Sequence, residues 1–218
     1  MELWLDTIDY QLITNAIKRI NITGITTNPS ILSKSDDSPE KTIKKLLDIQ
    51  PGLLAVQVTS NDEEIMVKQA RKIRKLSDRI IIKVPVCQSG LSVIKTLSDE
   101  KVPVMATAIF EPIQIYLSIL SGASYAAPYL GRIEKITGDF TKVIGEMMSV
   151  IKNSNSNLKL LTASISTRKQ IMDCALLCVH AITLPEKAYA ELMLDHPQTI
   201  QCLESFVKSQ SCFCPRLL

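Results

Sequence analysis

Aromatic residues and long apolar runs are both scarce in this chain of 218 residues. Aromatics make up 5% of the sequence although hydrophobic residues make up 46%, so aliphatic side chains and Met must supply most of the core. That composition suits strands that are buried on both faces and covered by helices. No apolar stretch approaches the roughly 20 residues of a membrane-spanning helix. A single domain, residues 1–218, with one sizeable core is therefore expected.

The sequence also has little that would direct it to a membrane, to nucleic acid or to an oxidising compartment. Residues 1–6 include acids where a secretory signal carries bases, which predicts a cytoplasmic protein. The net charge is only +3, and the basic cluster at 71–75 has no interleaved aromatics, so no nucleic-acid partner is expected.

The six cysteines indicate neither a disulfide framework nor a zinc module. Cys174 and Cys178 lie near His180 and could be drawn as a partial metal site. Buried thiols more often act as small hydrophobes, and no ligand set has the spacing of a metal site. No metal and no other cofactor is expected.

Short apolar runs alternate with longer amphipathic stretches along the whole chain, a pattern typical of strand-then-helix repeats. Helix-start signals at 38–40 and 61–64 support this interpretation. The pattern predicts an α/β fold, a closed (β/α)8 TIM barrel rather than an open sheet. The predicted strands are 2–5, 24–27, 53–58, 80–84, 102–106, 125–127, 158–163 and 181–184.

Two further helical stretches, 186–194 and 198–208, follow the eighth strand, which is one helix more than a barrel requires. Residues 197–218 are therefore expected to form a C-terminal helix and tail. The extra helix is available to pack on a neighbouring subunit.

Polar side chains lie at or just beyond the ends of seven of the eight predicted strands. Because the reacting groups of such barrels sit at the carboxyl ends of the strands, we expect these side chains to meet in one site. In chain order they are Asp6, Thr26 with Asn28, Gln57, Lys83, Thr107, Tyr129 with Arg132, and Ser164.

Lys83 is the most informative of them because it lies inside the apolar run 80–86, IIIKVPV. Burial removes the hydration of an ammonium group and lowers its pKa, which leaves a neutral amine able to attack a carbonyl. The run is equally compatible with a lysine whose stem packs while its head reaches water.

The other strand-end residues also have simpler interpretations. Asp6 could cap a helix that starts near Asp9, and Asn28 could belong to a plain turn. Gln57 and Tyr129 could be ordinary barrel-layer residues. Their joint placement at one end of the predicted barrel favours function. Arg132 and Ser164 lie at the same end and together suit a phosphate anchor.

Five sequence blocks resemble motifs of the transaldolase family: LWLDT at 3–7, GITTNPS at 24–30, IKVPV at 82–86, APYLGRI at 127–133 and AS at 163–164. The resemblance extends from residue 1 to about residue 206. It implies that Lys83 forms a Schiff base with a sugar phosphate. It also implies a homo-oligomer, a pentamer or decamer, in which the final helix crosses to a neighbour.

Within that family the chain is similar to the fructose-6-phosphate aldolase subgroup. Transaldolases proper carry Glu, Asn and Phe where this chain has Gln57, Ala106 beside Thr107, and Tyr129. The resemblance implies an aldolase that cleaves fructose 6-phosphate into dihydroxyacetone and glyceraldehyde 3-phosphate, or forms it from them. A transaldolase and a non-catalytic sugar-phosphate-binding barrel are the alternatives.

The resemblance also implies a role for each site residue. The catalytic set is Lys83, Tyr129, Asp6, Gln57 and Thr107, with Tyr129 as acid and base. The substrate-binding set is Thr26, Asn28, Ser164 and Arg132.

One departure from the family affects the phosphate. The family commonly has Arg or Lys two residues after the AS block, and this chain has Ser166 there. Arg168 and Lys169 follow closely but stand at other positions of the turn. A non-phosphorylated acceptor is therefore favoured more than the family alone implies. The tail at 212–215, CFCP, departs from the family as well.

Overall fold

Eight parallel strands close into a barrel in the computed structural model, which describes residues 1–209 of the chain. Neighbouring strands pair in chain order, and β1 pairs with β8 to complete the ring. The predicted (β/α)8 TIM barrel is confirmed. The strands are β1 Glu2–Asp6, β2 Gly24–Thr26, β3 Leu53–Gln57, β4 Ile80–Pro85, β5 Val104–Ile109, β6 Tyr125–Pro128, β7 Lys159–Thr162 and β8 Ala181–Leu184.

Eleven helices lie within residues 1–209, and most connect one strand to the next. They are α1 Tyr10–Arg19, α2 Pro29–Leu32, α3 Pro39–Ile49, α4 Glu63–Arg74, α5 Gln88–Asp99, α6 Pro112–Leu120, α7 Leu130–Thr137, α8 Phe140–Asn153, α9 Arg168–Leu176, α10 Glu186–Leu192 and α11 Pro197–Ser209. The expected extra C-terminal helix is α11. The tail predicted beyond it, including 212–215, lies outside the described residues.

Side-chain caps fix several helix starts where the sequence predicts them. The Ser38 side chain accepts from the Lys41 amide to begin α3, with Pro39 in the first turn. Asp62 caps α4 in the same way. These bonds satisfy amides that a helix leaves unpaired at its start.

Strand alternation sorts side chains into two packed layers. One apolar cluster fills the barrel interior and includes Trp4, Ala55, Ile81, Met105 and Leu161. A larger cluster lies between the strands and the helices around them. Lys83 is two residues after Ile81, so it shares the inward face and stands above the apolar interior.

The amino ends of the strands carry a polar cluster around Glu2. Its carboxylate accepts from Trp4 Nε1 at 3.0 Å, from the Tyr125 hydroxyl at 3.1 Å and from Lys159 Nζ at 2.5 Å. This end of such a barrel usually serves stability.

The last described helix, α11, buries none of its residues on its own barrel. Ile200, Leu203, Phe206 and Val207 are all exposed, and their spacing places apolar side chains along one stripe of the helix. Within residues 1–209, no helix has the length and apolar character needed to span a membrane.

Candidate active site

One cleft at the carboxyl end of the barrel gathers the residues expected to form a site. We call it the strand-end cleft; its volume is about 580 Å³. Seven of the nine candidates line it, and the other two, Thr26 and Thr107, each hydrogen-bond to a lining residue. The seven are Asp6, Asn28, Gln57, Lys83, Tyr129, Arg132 and Ser164.

Lys83 reaches the cleft from β4 while its side chain is almost completely enclosed, at 4% exposure. Its Nζ donates to the carbonyl oxygen of Thr27 at 3.0 Å. The Thr27 hydroxyl donates in turn to the Ala55 carbonyl at 2.9 Å, which ties this acceptor to β3. Burial lowers the pKa of Lys83, and the nearby negative charge of Asp6 opposes that shift. The enclosed position excludes a lysine whose head simply reaches water.

Asp6 is the last residue of β1, and its carboxylate faces the strand-end cleft. Thr26 donates to Asp6 Oδ1 at 2.6 Å. The helix that follows is capped by Asp9, which accepts from the Leu12 amide. The capping alternative for Asp6 is therefore wrong.

Tyr129 follows β6, and its hydroxyl lies 3.2 Å from Thr107 Oγ1. Phe110 packs edge-on against the Tyr129 ring with 5.8 Å between ring centroids.

The predicted strand 102–106 was placed too early, because β5 begins after Pro103 and runs on through a bulge at Ala108. That residue has a φ of 58°, and the bulge sets the direction of the chain between Thr107 and Phe110.

Gln57 ends β3, and its Oε1 is buried with no hydrogen-bond partner among residues 1–209. A buried amide oxygen without a donor is costly and marks a place where a ligand hydroxyl or a water can donate. Gln57 pairs with Lys83 in the β3–β4 register. Its free acceptor therefore belongs to the same part of the cleft as the lysine.

Asn28 lines the cleft and also caps a helix. Its side-chain oxygen accepts from the Ile31 amide at 2.9 Å and starts the short α2. The side-chain oxygen of Asn28 therefore already accepts a hydrogen bond, and the side-chain NH₂ is the group left to donate to a substrate.

Arg132 and Ser164 are brought together where the backbone at Gly131 passes close to the backbone at Ser164. Ser164 has a φ of 63°, a left-handed conformation that is strained for a residue with a Cβ. Its carbonyl accepts from the Gly131 amide at 3.1 Å, and a Cβ on Gly131 would lie 2.7 Å from that oxygen. The Arg132 guanidinium lies 5.2 Å from the centroid of the Tyr129 ring. The anion-binding candidate and the acid/base candidate are therefore in contact.

The loop after Ser164 is organised by Gln170. Gln170 Oε1 accepts from the Ser166 amide at 2.8 Å and from its hydroxyl at 3.1 Å, while Nε2 donates to Glu134 at 2.6 Å. Lys169 pairs with Asp173 at 2.7 Å. Neither Arg168 nor Lys169 is among the residues that line the strand-end cleft.

Sequence reasoning missed several residues of this region, chiefly Thr183. Its hydroxyl is buried in the barrel and lies 2.8 Å from Thr26 Oγ1. Period-2 alternation from Ala181, an interior residue, would have placed Thr183 inward. Ser30 and Pro185 also line the cleft, and neither carried a signal distinguishing it from a loop residue.

A second cavity of about 380 Å³ lies beside the cleft, between α3 and α4, and shares Pro29 and Gln57 with it. Its walls are mostly apolar, and they include Ile43, Ile73 and Leu76. Chemistry requires convergent polar groups, which this cavity has fewer of than the strand-end cleft. We therefore take the strand-end cleft as the candidate active site.

Comparison with known proteins gives a consistent pattern. Residues 3–213 match the family model described as transaldolase/fructose-6-phosphate aldolase. A protein named probable transaldolase from Clostridium kluyveri is 35% identical over 208 residues, covering 95% of this chain and 96% of that protein. Proteins with the same name from Petrotoga mobilis and Aquifex aeolicus are 32% and 30% identical, each over 95% of this chain and over 93% and 95% of their own lengths.

Among solved structures, a mandelate oxidase variant superposes with a TM-score of 0.57 at 12% identity. The match covers 81% of this chain and 59% of that one. At this identity the likeness concerns the barrel fold alone.

Proposed function

The chain belongs to the transaldolase/fructose-6-phosphate aldolase family and is an enzyme of that type, and from this premise we propose that Lys83 forms a Schiff base with fructose 6-phosphate. The reaction is the reversible cleavage of that ketose into dihydroxyacetone and glyceraldehyde 3-phosphate. The observation that carries the proposal is the enclosed Lys83 amine, whose pKa is lowered by burial, in a cleft that also presents Asp6 and Tyr129.

The first half of the reaction builds the iminium. Neutral Lys83 attacks the C2 carbonyl, and the resulting carbinolamine loses water when Tyr129 supplies a proton to its hydroxyl. A water held by Gln57 and Thr107 links Tyr129 to that hydroxyl. The buried oxygen of Gln57 supports this role, since it lacks a donor among the described residues.

The second half breaks the C3–C4 bond. Asp6 takes the proton of the C4 hydroxyl, the C3–C4 electron pair moves into the iminium to give an enamine, and glyceraldehyde 3-phosphate leaves. Tyr129 then directs protonation of C3, and water hydrolyses the new iminium to release dihydroxyacetone and Lys83. Thr26, bonded to Asp6, holds that carboxylate in place.

The substrate-binding groups surround this chemistry. Asn28 and Ser164 bind substrate oxygens, and the Arg132 guanidinium meets the phosphate with charge-assisted hydrogen bonds. Among residues 1–209, the Arg132 guanidinium is paired with no carboxylate and lies over the Tyr129 ring. One cation at the phosphate position leaves room for non-phosphorylated aldehydes as acceptors.

Trapping tests the proposal directly. Borohydride added with dihydroxyacetone should reduce the Schiff base and leave one covalent adduct, located on Lys83 by peptide mass spectrometry. Lys83→Met should abolish the adduct, while Lys95→Met, on the exposed face of α5, should not. An adduct on another lysine would refute the assignment. No adduct at all would favour a barrel that binds sugar phosphates without catalysis.

A transaldolase is the second candidate, and the names of the relatives from three organisms favour it. Such an enzyme retains the three-carbon enamine and transfers it to erythrose 4-phosphate. Gln57 and Tyr129 favour release over transfer, because they match the aldolase subgroup. Sedoheptulose 7-phosphate formed at a rate above free dihydroxyacetone release would decide for the transferase.

We also propose a homo-oligomer, a pentamer or decamer, in which α11 packs on a neighbouring subunit. The exposed apolar stripe of α11 supports this, since Leu203 and Phe206 have no cover within their own barrel. Analytical ultracentrifugation tests this. If the stripe is buried between subunits, Phe206→Asp should sediment as a smaller species than the unaltered protein.

A cytoplasmic location is proposed on the state of the cysteines. The four cysteines within residues 1–209, Cys87, Cys174, Cys178 and Cys202, are free thiols, as expected in a reducing compartment. Fractionation of the native protein tests it.

A further inference from the structure

Thr183 connects β8 to the site through a chain of hydroxyl groups. Its Oγ1 lies 2.8 Å from Thr26 Oγ1, which lies 2.6 Å from Asp6 Oδ1. Thr183 and Thr26 are each 1% exposed, so water does not compete for the bond between the two threonines. In the strand register, Thr26 is opposite Asp6, and Thr183 is opposite Trp4, two residues deeper along β1. Thr183 therefore supports the site from below and does not line it.

Counting protons fixes the direction of the chain. An ionised carboxylate only accepts hydrogen bonds, and a threonine hydroxyl has a single proton to donate. Thr26 gives its proton to Asp6, so the bond between the two threonines must be donated by Thr183. The order is Thr183 to Thr26 to Asp6, and each bond polarises the next.

We propose that Thr183 is a positioning residue for Asp6, acting through Thr26. It holds the Thr26 hydroxyl so that the proton of Thr26 points at Asp6 and the second carboxylate oxygen stays directed into the cleft. This inference rests on the proposed function, in which Asp6 takes the proton of the C4 hydroxyl. Without the Thr183 donor, Thr26 has a free acceptor in a dry interior and loses its fixed orientation.

The reaction itself offers a readout that separates this role from general support of the barrel. Dihydroxyacetone has no C4 hydroxyl, so trapping it on Lys83 requires no proton transfer to Asp6. Cleavage of fructose 6-phosphate does. A positioning role predicts that losing the Thr183 hydroxyl lowers kcat for cleavage and leaves the trapping yield unchanged.

Three variants of the full chain provide the test. Thr183→Val keeps the shape and removes the hydroxyl, and kcat for cleavage should fall about 10-fold or more, as for the loss of a hydrogen bond linked to a charged group. Thr183→Ser keeps the hydroxyl and should stay within about 3-fold of the unaltered protein. Thr162→Val is the matched control, because Thr162 is a buried threonine on the adjacent strand whose hydroxyl contacts Cys174 instead.

A double-mutant cycle completes the experiment. If Thr183 acts only through Asp6, Thr183→Val should cost less than about 2-fold in an Asp6→Asn background. Three results would each overturn the inference: the same loss of kcat from Thr183→Val in both backgrounds, a loss in Thr183→Ser as large as in Thr183→Val, or unchanged cleavage in Thr183→Val. If Lys83 is still trapped, the proposed function stands in all three cases. Absence of trapping in the unaltered protein would overturn both. Thr183→Ala replaces the valine variant if that variant does not fold.

Discussion

Lys83 Nζ donates to the backbone carbonyl oxygen of Thr27 across 3.0 Å, in an interior where the lysine side chain is 4% exposed. A carbonyl offers one hydrogen bond but no full negative charge, so it compensates only part of the lost hydration of an ammonium. Burial accordingly lowers the pKa of Lys83, with the charge of Asp6 acting in the opposite direction. The site therefore carries a cost to stability.

Lys83→Met is expected to stabilise the fold at pH 7. Replacing this buried amine by an apolar side chain of similar volume removes the desolvation cost of the ammonium, so the free energy of unfolding should rise. Between the lowered pKa of folded Lys83 and its ordinary unfolded pKa, the unfolded chain binds more protons, so the stability of the unaltered protein rises with pH. The difference in free energy of unfolding between Lys83→Met and the unaltered protein should therefore become smaller toward pH 10. Urea unfolding at both pH values and fixed protein concentration measures it, and a variant less stable at pH 7 would contradict it.

Tyr129→Phe is expected to lower kcat for fructose 6-phosphate cleavage by about 100-fold or more, because a general acid/base contributes on that order. The ring contact with Phe110 is kept, so the fold should not change. Tyr10→Phe is the control, since the Tyr10 hydroxyl is buried without a partner among the described residues. Unchanged cleavage in Tyr129→Phe would remove this residue from the mechanism.

The barrel was predictable because buried parallel strands leave a simple record in the sequence. Runs such as 53–56 are apolar throughout, so seven of the eight strands were located to within one residue at both ends. The boundary of β5 was not, because Pro103 and the bulge at Ala108 shift the strand by a local backbone choice. The hydrophobic pattern of a sequence reports which residues are buried, but it carries little information about a local backbone conformation such as this bulge.

The site was predictable as a set of residue types but not as a network. Strand-end position alone places Asp6 and Lys83 at one end of the barrel. It does not reveal that Thr183 on β8 reaches Thr26 on β2 past the intervening β1, since that contact joins residues 157 positions apart. The left-handed backbone conformation of Ser164 could not be predicted either, because a serine does not require a positive φ.

Glu2→Gln is expected to destabilise the barrel from its amino end. Burial alone would raise the pKa of Glu2, but the hydrogen bonds from Lys159, Trp4 and Tyr125 outweigh it and lower the pKa. A lowered carboxyl pKa contributes stability above the unfolded pKa and loses it as pH falls through the folded value. The variant should therefore lose about 1 kcal/mol at pH 7, and its deficit should be smaller at pH 3, as the pH falls toward the lowered pKa of folded Glu2. Thermal unfolding at both pH values checks it, with Glu146→Gln, exposed in the middle of α8, as the control.

Arg132→Ala is expected to weaken phosphorylated substrates alone. Charge-assisted hydrogen bonds are worth roughly 1.5–3 kcal/mol, so KM for fructose 6-phosphate should rise by about 10- to 150-fold. Addition of dihydroxyacetone to a non-phosphorylated aldehyde should be nearly intact. Lys135→Ala removes an exposed cation three residues along the same helix and should change neither reaction. Equal losses for both substrate types would assign Arg132 to support of the Tyr129 ring.

Ser166→Arg is expected to tighten phosphorylated substrates, because it adds a guanidinium to the loop that follows Ser164. The loop should tolerate the change: Ser166 is exposed, and its amide, which the substitution keeps, is held by Gln170 Oε1 at 2.8 Å. Glu134, bonded to Gln170, will compete for the new cation and limit the gain, so a 3- to 10-fold fall in KM is expected, at the lower end of a charged hydrogen bond.

Two companions make that last measurement specific. Ser166→Gln adds length without charge and should leave KM for fructose 6-phosphate unchanged, so a fall seen in both variants would point to packing of the loop. Glu134→Gln combined with Ser166→Arg removes the competing carboxylate and should deepen the gain if the new guanidinium reaches the phosphate. No gain in either arginine variant would mean that Arg168 or Lys169 already supplies the cation, or that the phosphate of a bound substrate lies away from the 164–167 loop.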